Sequence, residues 1–194
     1  MKLFITSIDT NIGKTIVSSI VCKALDYSYW KPVQSGDLQN SDSNKIKNLS
    51  PSTFIHPETY RLTQPLSPHE SANRDGVSIT LKKFKLPQNE KLVIEGAGGV
   101  MVPLNEFGDM IIDLATIFEC SLLLVVKNYL GSINHTLLTI KELNSRGFKN
   151  IGIILVGDRV ESSERIIQKI GSSSIIANVP HEENINENWI IKQA

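Results

Sequence analysis

The chain has 194 residues, 41% of them apolar and 21% charged, and its 20 basic and 20 acidic side chains cancel. That length suits a single domain, residues 1–194, able to bury its own core, and the neutral balance gives no sign of a nucleic-acid partner. Two cysteines, Cys22 and Cys120, stand in no CxxC or Cys/His grouping, which argues against a disulfide framework or a zinc site and fits the reducing cytoplasm.

The first apolar run, Leu3–Thr6, is too short for a signal-peptide core, and no later run approaches the roughly 20 residues of a membrane span. It reads as a strand, as do Tyr27–Trp30, Leu92–Ile94, Leu122–Val126, Ile151–Val156 and Ile175–Val179. Apart from the mixed Tyr27–Trp30, these runs are near-continuously apolar rather than alternating, the pattern of parallel strands covered on both faces. Helical spacing fills the intervals. Thr15–Leu25 sets Ile16, Ile20, Val21, Ala24 and Leu25 on one stripe, and Ile133–Asn144 does so with Ile133, Leu137, Ile140 and Leu143. Ser162–Ile170 is a shorter helix. Strands alternating with helices predict an α/β fold: a doubly wound, mainly parallel sheet flanked by helices. Residues 37–88 differ, being polar and interrupted by Pro51, Pro57, Pro65, Pro68 and Pro87. They predict one helix near Asp42–Leu49 in an otherwise looping excursion over the ligand-binding edge of the sheet. The acidic, Asn-rich tail closes in a short helix.

Ser7-Ile8-Asp9-Thr10-Asn11-Ile12-Gly13-Lys14-Thr15 follows the first strand and opens the first helix, the context of a phosphate-binding loop. Residue 8, where the strict P-loop pattern has its first glycine, is Ile8. Backbone N–H groups from Asn11, Ile12, Gly13, Lys14, Thr15 and Ile16 would cradle phosphate oxygens, Lys14 would contact the terminal phosphates, and the Thr15 hydroxyl would bind Mg²⁺. A plain loop with a threonine at the helix entry is the bland alternative. Lys31-Pro32-Val33-Gln34-Ser35-Gly36 puts a lysine at a strand end before a turn. Asn40-Ser41-Asp42 reads equally as a helix N-cap. Lys91-Leu92-Val93-Ile94-Glu95-Gly96-Ala97-Gly98-Gly99 leads three apolar residues into a carboxylate and a glycine-rich turn, suited to a Mg²⁺ ligand or a water positioner beside backbone N–H donors, or else a tight turn with Glu95 solvated. Leu130-Gly131-Ser132-Ile133-Asn134-His135 is a turn and N-cap before a helix.

Taken in order, these segments resemble the dethiobiotin synthetase family, whose loop GTDTxVGKT also lacks the strict spacing. Ser7 replaces its glycine and Ile8 its threonine. The segments KPVxSG, NSD, EGAGG and LGxINHxLL are similar to the family's own, and the matches run from Leu3 to about Pro180. The resemblance implies a Mg²⁺-dependent, P-loop NTPase-like ligase. It would join 7,8-diaminopelargonic acid and CO₂, with ATP as co-substrate and other nucleoside triphosphates open. Lys14, Lys31 and Thr10 would be catalytic, and Thr15, Asp42 and Glu95 would hold the metal. Ser35, Gly96, Ala97 and Gly98 would meet substrate. In a homodimer, Gly131, Ser132, Ile133 and Asn134 would receive the substrate carboxylate across the interface. Asp158 and Pro180 match the base-binding region, although Gly157 replaces the asparagine that contacts adenine. Tyr129 stands where some members carry lysine. His135 reads as structural or interfacial, and His69 in Ser67-Pro68-His69 takes no role.

Two rivals share the loop. A P-loop switch ATPase of the chromosome-partitioning type would carry a second lysine within Asp9–Ile12. An amidating synthetase of the cobyrinic-acid type would need a glutamine-hydrolysing domain, for which this chain has no room. A degenerate, non-catalytic homologue is the remaining alternative.

Overall fold

The computed structural model describes residues 1–88 and 91–194. Among them, seven strands form one sheet: β1 (Lys2–Ser7), β2 (Ser28–Trp30), β4 (Ile55–His56), β6 (Leu92–Gly99), β7 (Ser121–Lys127), β8 (Gly152–Val156) and β9 (Ser174–Val179). Their order is β4-β2-β6-β1-β7-β8-β9, and every pairing is parallel. Two further strands, β3 (Val33–Ser35) and β5 (Tyr60–Leu62), pair apart from it. The helices are α1 (Lys14–Leu25), α2 (Asp42–Leu49), α3 (Pro68–Arg74), α4 (Asp113–Ile117), α5 (Ser132–Ser145), α6 (Glu161–Gly171) and α7 (Glu187–Gln193).

Successive strand residues enter opposite cores, which is why the strands lack polar alternation. In β1, Phe4 joins the core under α5 and α6, whereas Leu3 and Ile5 join the core under α1, α2 and α7. Leu92 and Ile94 go to the first core and Val93 to the second. The predicted doubly wound α/β class is therefore the observed one. No helix among the described residues is long and apolar enough to cross a membrane.

Three expectations change. The apolar stripe of α1 turns toward Val17, which is 1% exposed, while Leu25 is 44% exposed. The helix packs on the sheet between α2 and α7, so neighbours on both sides redefine its buried face. The excursion over residues 37–88 is more ordered than its prolines suggested. It supplies edge strand β4, strand β5 and helix α3, which accepts Pro68 in its first turn, where no intrahelical N–H is needed. The glycines after Glu95 continue β6 to Gly99 instead of turning at once. A register irregularity between Ile5 and Ser7 pairs Ser7 with Gly99, and Gly98 takes a φ of +62°.

Gly36 ties the excursion down. It has φ +68°, and a Cβ there would lie 2.5 Å from the backbone of Pro65. Gly36→Ala is therefore expected to cost about 2 kcal/mol through left-handed strain and overpacking. A urea unfolding series checks this: the midpoint should fall with the slope unchanged.

Candidate active site

In a parallel sheet the carboxyl ends of all strands lie along one edge, and the loops there share one space. Trp30 pairs with Ile94, so Lys31 and Glu95 follow side by side one step further on. Glu95 itself pairs with Ile5, two residues before the end of β1. The loop leaving β1 reaches α1 through Asn11 at φ +55° and Gly13 at φ +103°. A Cβ on Gly13 would come 3.2 Å from Val156.

These registers gather Lys14, Thr15, Lys31, Asp42 and Glu95 into one cluster. Lys31 is 4% exposed and Glu95 1%. The Lys31 ammonium lies 2.8 Å from Asp42 Oδ2 and 3.1 Å from Glu95 Oε1, and donates to Gly96 O at 3.0 Å. Thr15 Oγ1 donates to Glu95 Oε1 at 3.0 Å. Burial opposes the charge on Lys31, but the attraction of Glu95 and Asp42 outweighs it and raises the pKa above the ordinary lysine value. Burial likewise opposes ionised Asp42, yet the charge and hydrogen bond of Lys31 hold its carboxyl below the usual range. Lys14 is different. Burial, reinforced by the like charge of Lys31, brings it down to about 8 against the pull of Glu95, Asp42 and Asp9.

Other predicted residues sit around this cluster. Thr10 is exposed, its backbone N–H donates to Asp9 Oδ1 at 2.7 Å, and its methyl lies 3.5 Å from where a Gly98 Cβ would be. The side chain of Ile12 enters the core and that of Ile16 packs against it, which leaves their backbone for a ligand. Ser35 Oγ is buried without a hydrogen-bond partner among the described residues, a hydroxyl left for a ligand to take. Gly96 and Ala97 carry β6 past Glu95. At the far end of the edge, Gly157 N donates to Val179 O at 2.8 Å, which brings Asp158 and Pro180 into neighbouring loops. Gly131, Ser132, Ile133 and Asn134 start α5, and no hydrogen bond among the described residues ties them to the lysine–carboxylate cluster. His135 Nδ1 shares a 2.7 Å hydrogen bond with the Tyr129 hydroxyl.

Several working residues escaped the sequence reading. Ser7, which replaces the family's glycine, sits in extended strand and needs no glycine freedom. Its hydroxyl donates to Asp9 O and accepts from Lys14 Nζ at 2.9 Å. Gln34 Nε2 donates to Gly36 O at 2.9 Å and its Oε1 accepts from Asp42 N at 3.1 Å, so it seats the start of α2. Ser41 caps that helix, as the N-cap reading of Asn40-Ser41-Asp42 had it, and the Asp42 carboxylate turns to Lys31. Ser18 and Tyr29 both donate to Glu95, at 2.7 and 3.1 Å. A serine four residues after Lys14 on a helix was the only available sign of the first.

A family described as an AAA domain matches residues 1–188. The ATP-dependent dethiobiotin synthetase BioD of Cytophaga hutchinsonii is 48% identical over 197 residues, covering 100% of this chain and 95% of that protein. The chain belongs to the dethiobiotin synthetase family. The synthetase of Christiangramia forsetii is 47% identical, with 98% and 92% covered, and that of Chlamydia pneumoniae 40% identical, with 97% and 85% covered. The chain also shares its fold with a ParA family ATPase from Chlorobium tepidum, at TM-score 0.56 over 98% of this chain and 89% of that one. The MinC:MinD cell division complex of Aquifex aeolicus matches at 0.57, with 99% and 86% covered. Both are only 16% identical, so they show the P-loop NTPase fold alone.

The buried ion pair makes a stability prediction. Glu95→Ala leaves Lys31 short of one of its two carboxylates and should cost about 3 kcal/mol. Lys31→Met combined with Glu95→Gln should recover most of that loss in the same denaturant titration.

Proposed function

We propose that the chain is an ATP-dependent cyclo-ligase that converts 7,8-diaminopelargonic acid and CO₂ to dethiobiotin in biotin biosynthesis. The near-full-length identity of 48% to a protein of that name carries the reading. One amine of the substrate captures CO₂ as a carbamate and releases a proton. A carbamate oxygen attacks the γ-phosphorus, ADP leaves, and a carbamic–phosphoric anhydride forms. The second amine attacks the carbamoyl carbon, the ring closes as a urea, and phosphate departs.

Phosphoryl transfer asks the protein mainly for placement and charge neutralisation. Lys14 and Lys31 supply positive charge, and the loop N–H groups from Asn11 to Ile16 cradle the phosphates. Thr10 stands beside the glycine strand, where the transferred group would pass. Ser35, Gly96, Ala97 and Gly98 would line the diamine, and the unpartnered Ser35 hydroxyl supports this. Thr15, Asp42 and Glu95 offer one hydroxyl and two carboxylates, the hard oxygen donors that Mg²⁺ favours. The two carboxylates already hold a cation, the Lys31 ammonium, and Thr15 Oγ1 donates to one of them. When bound, Mg²⁺ would neutralise phosphate charge. Asp158 and Pro180 would flank the base.

The substrate carboxylate would be received by Gly131, Ser132, Ile133 and Asn134 of a second copy, since a helix N-terminus favours anions. Leu130 at full exposure and Leu138 at 58% give a homodimer apolar surface to cover. Buried, free Cys22 and Cys120 suit the cytoplasm.

Phosphate release measured with Mg²⁺ and bicarbonate should depend on the diamine, with dethiobiotin seen by mass spectrometry. ATP, CTP and GTP run in parallel rank the base preference left open by Gly157. Release that ignores the diamine would return the partitioning-type switch ATPase. Lys14→Ala and Lys31→Ala should each lower kcat by about 100-fold or more, and near-normal turnover would refute the assigned role.

The Lys14 value of about 8 gives a pH dependence. Bound phosphate favours the charged lysine, so binding takes up a proton wherever free Lys14 has lost it. Affinity for a non-hydrolysable ATP analogue should be flat with respect to Lys14 below about pH 7 and weaken as pH rises through 8. Calorimetry in buffers of different ionisation heat should find uptake of about half a proton at pH 8, and Lys14→Arg should abolish it.

A further inference from the structure

Glu95 carries more hydrogen bonds than a metal-facing carboxylate needs, and they divide by oxygen. Oε1 accepts from Lys31 Nζ at 3.1 Å and Thr15 Oγ1 at 3.0 Å, both on the phosphate-loop side. Oε2 accepts from Ser18 Oγ at 2.7 Å and Tyr29 Oη at 3.1 Å, both buried neutral hydroxyls. Ser18 has given up the usual habit of a helical serine, which is to bond the carbonyl four residues back. Its neighbour Ser19 keeps that habit, donating to Thr15 O at 2.9 Å. Tyr29 is fully buried in β2, where a phenylalanine ring would fill the same space. Among the described residues its hydroxyl bonds the carboxylate alone.

The terminal torsion of a glutamate is soft and roughly two-fold, so an unanchored carboxylate swings and can present either oxygen. We propose that Ser18 and Tyr29 are positioning residues that pin Glu95 Oε2 from behind, so that Oε1 alone is left facing Thr15 and Lys31, where it would serve a bound Mg²⁺. This rests on the reading of Glu95 as a metal ligand. Partners behind a metal ligand commonly change metal affinity by 10- to 100-fold. Both are fully buried, out of reach of a substrate. Their effect passes through Glu95, and losing both should approach the loss of the carboxylate itself.

The test is Mn²⁺ binding, followed by electron paramagnetic resonance in the presence of a non-hydrolysable ATP analogue, alongside thermal melting of each variant. Ser18→Ala and Tyr29→Phe should each weaken Mn²⁺ binding about 10-fold. Together they should approach Glu95→Gln, and Ser18→Thr, which keeps the hydroxyl, should recover affinity. Unchanged Mn²⁺ affinity in Ser18→Ala and Tyr29→Phe, with Glu95→Gln weakened, overturns the positioning role and leaves the metal reading intact. A lowered melting temperature with unchanged affinity marks a packing role only and overturns it equally. Unchanged affinity in Glu95→Gln itself overturns both.

Discussion

Parallel pairing of β6 between β1 and β2 is the constraint on which the rest of the molecule depends. Because the three strands run the same way, the phosphate loop after β1, Lys31 after β2 and Glu95 in β6 all emerge on one edge. The register is set by Phe4, Trp30 and Ile94, which are buried in one core, and by Val93, Ile5 and Tyr29, buried in the other. A slip by one residue would move every one of these side chains to the wrong face, so the apolar cores hold the polar edge in place.

That edge is costly. Lys31 and Glu95 are almost fully withdrawn from water, and desolvation of such a pair can exceed what its attraction returns. The arrangement is made tolerable by completeness. Glu95 accepts from four donors among the described residues, and Lys31 meets two carboxylates and a carbonyl. Lys14, by contrast, has only the Ser7 hydroxyl and the Asp9 carbonyl as hydrogen-bond partners among the described residues, and its charge is the weakly held one. An anion arriving at the loop would find one lysine already committed to carboxylates and the other short of a counter-charge.

The shared fold with ParA and MinD proteins shows how little the scaffold decides about chemistry. A parallel sheet with a phosphate loop after its first strand serves both groups. What separates the comparisons is identity: 48% and 47% over nearly the whole length with two synthetases, against 16% with the ParA and MinD proteins.

The five long apolar strands and the helices α1, α5 and α6 were legible because burial on two faces, or along one stripe, writes a local period into the chain. So were Lys14, Thr15, Lys31, Asp42 and Glu95, which lie in recognisable segments at strand ends or a helix start. Strands β4 and β5, of two and three residues, are too short to show a period, and Pro68 read as a breaker where it starts α3. The partnership of Ser18 and Tyr29 with Glu95, across 77 and 66 residues, could not be read locally at all. The sequence by itself therefore determined the long apolar strands of the sheet and which residues bear charge. Only the tertiary structure decided that Lys31 is buried between two carboxylates and that Glu95 is anchored from behind, because strand order, not spacing along the chain, brings those atoms together.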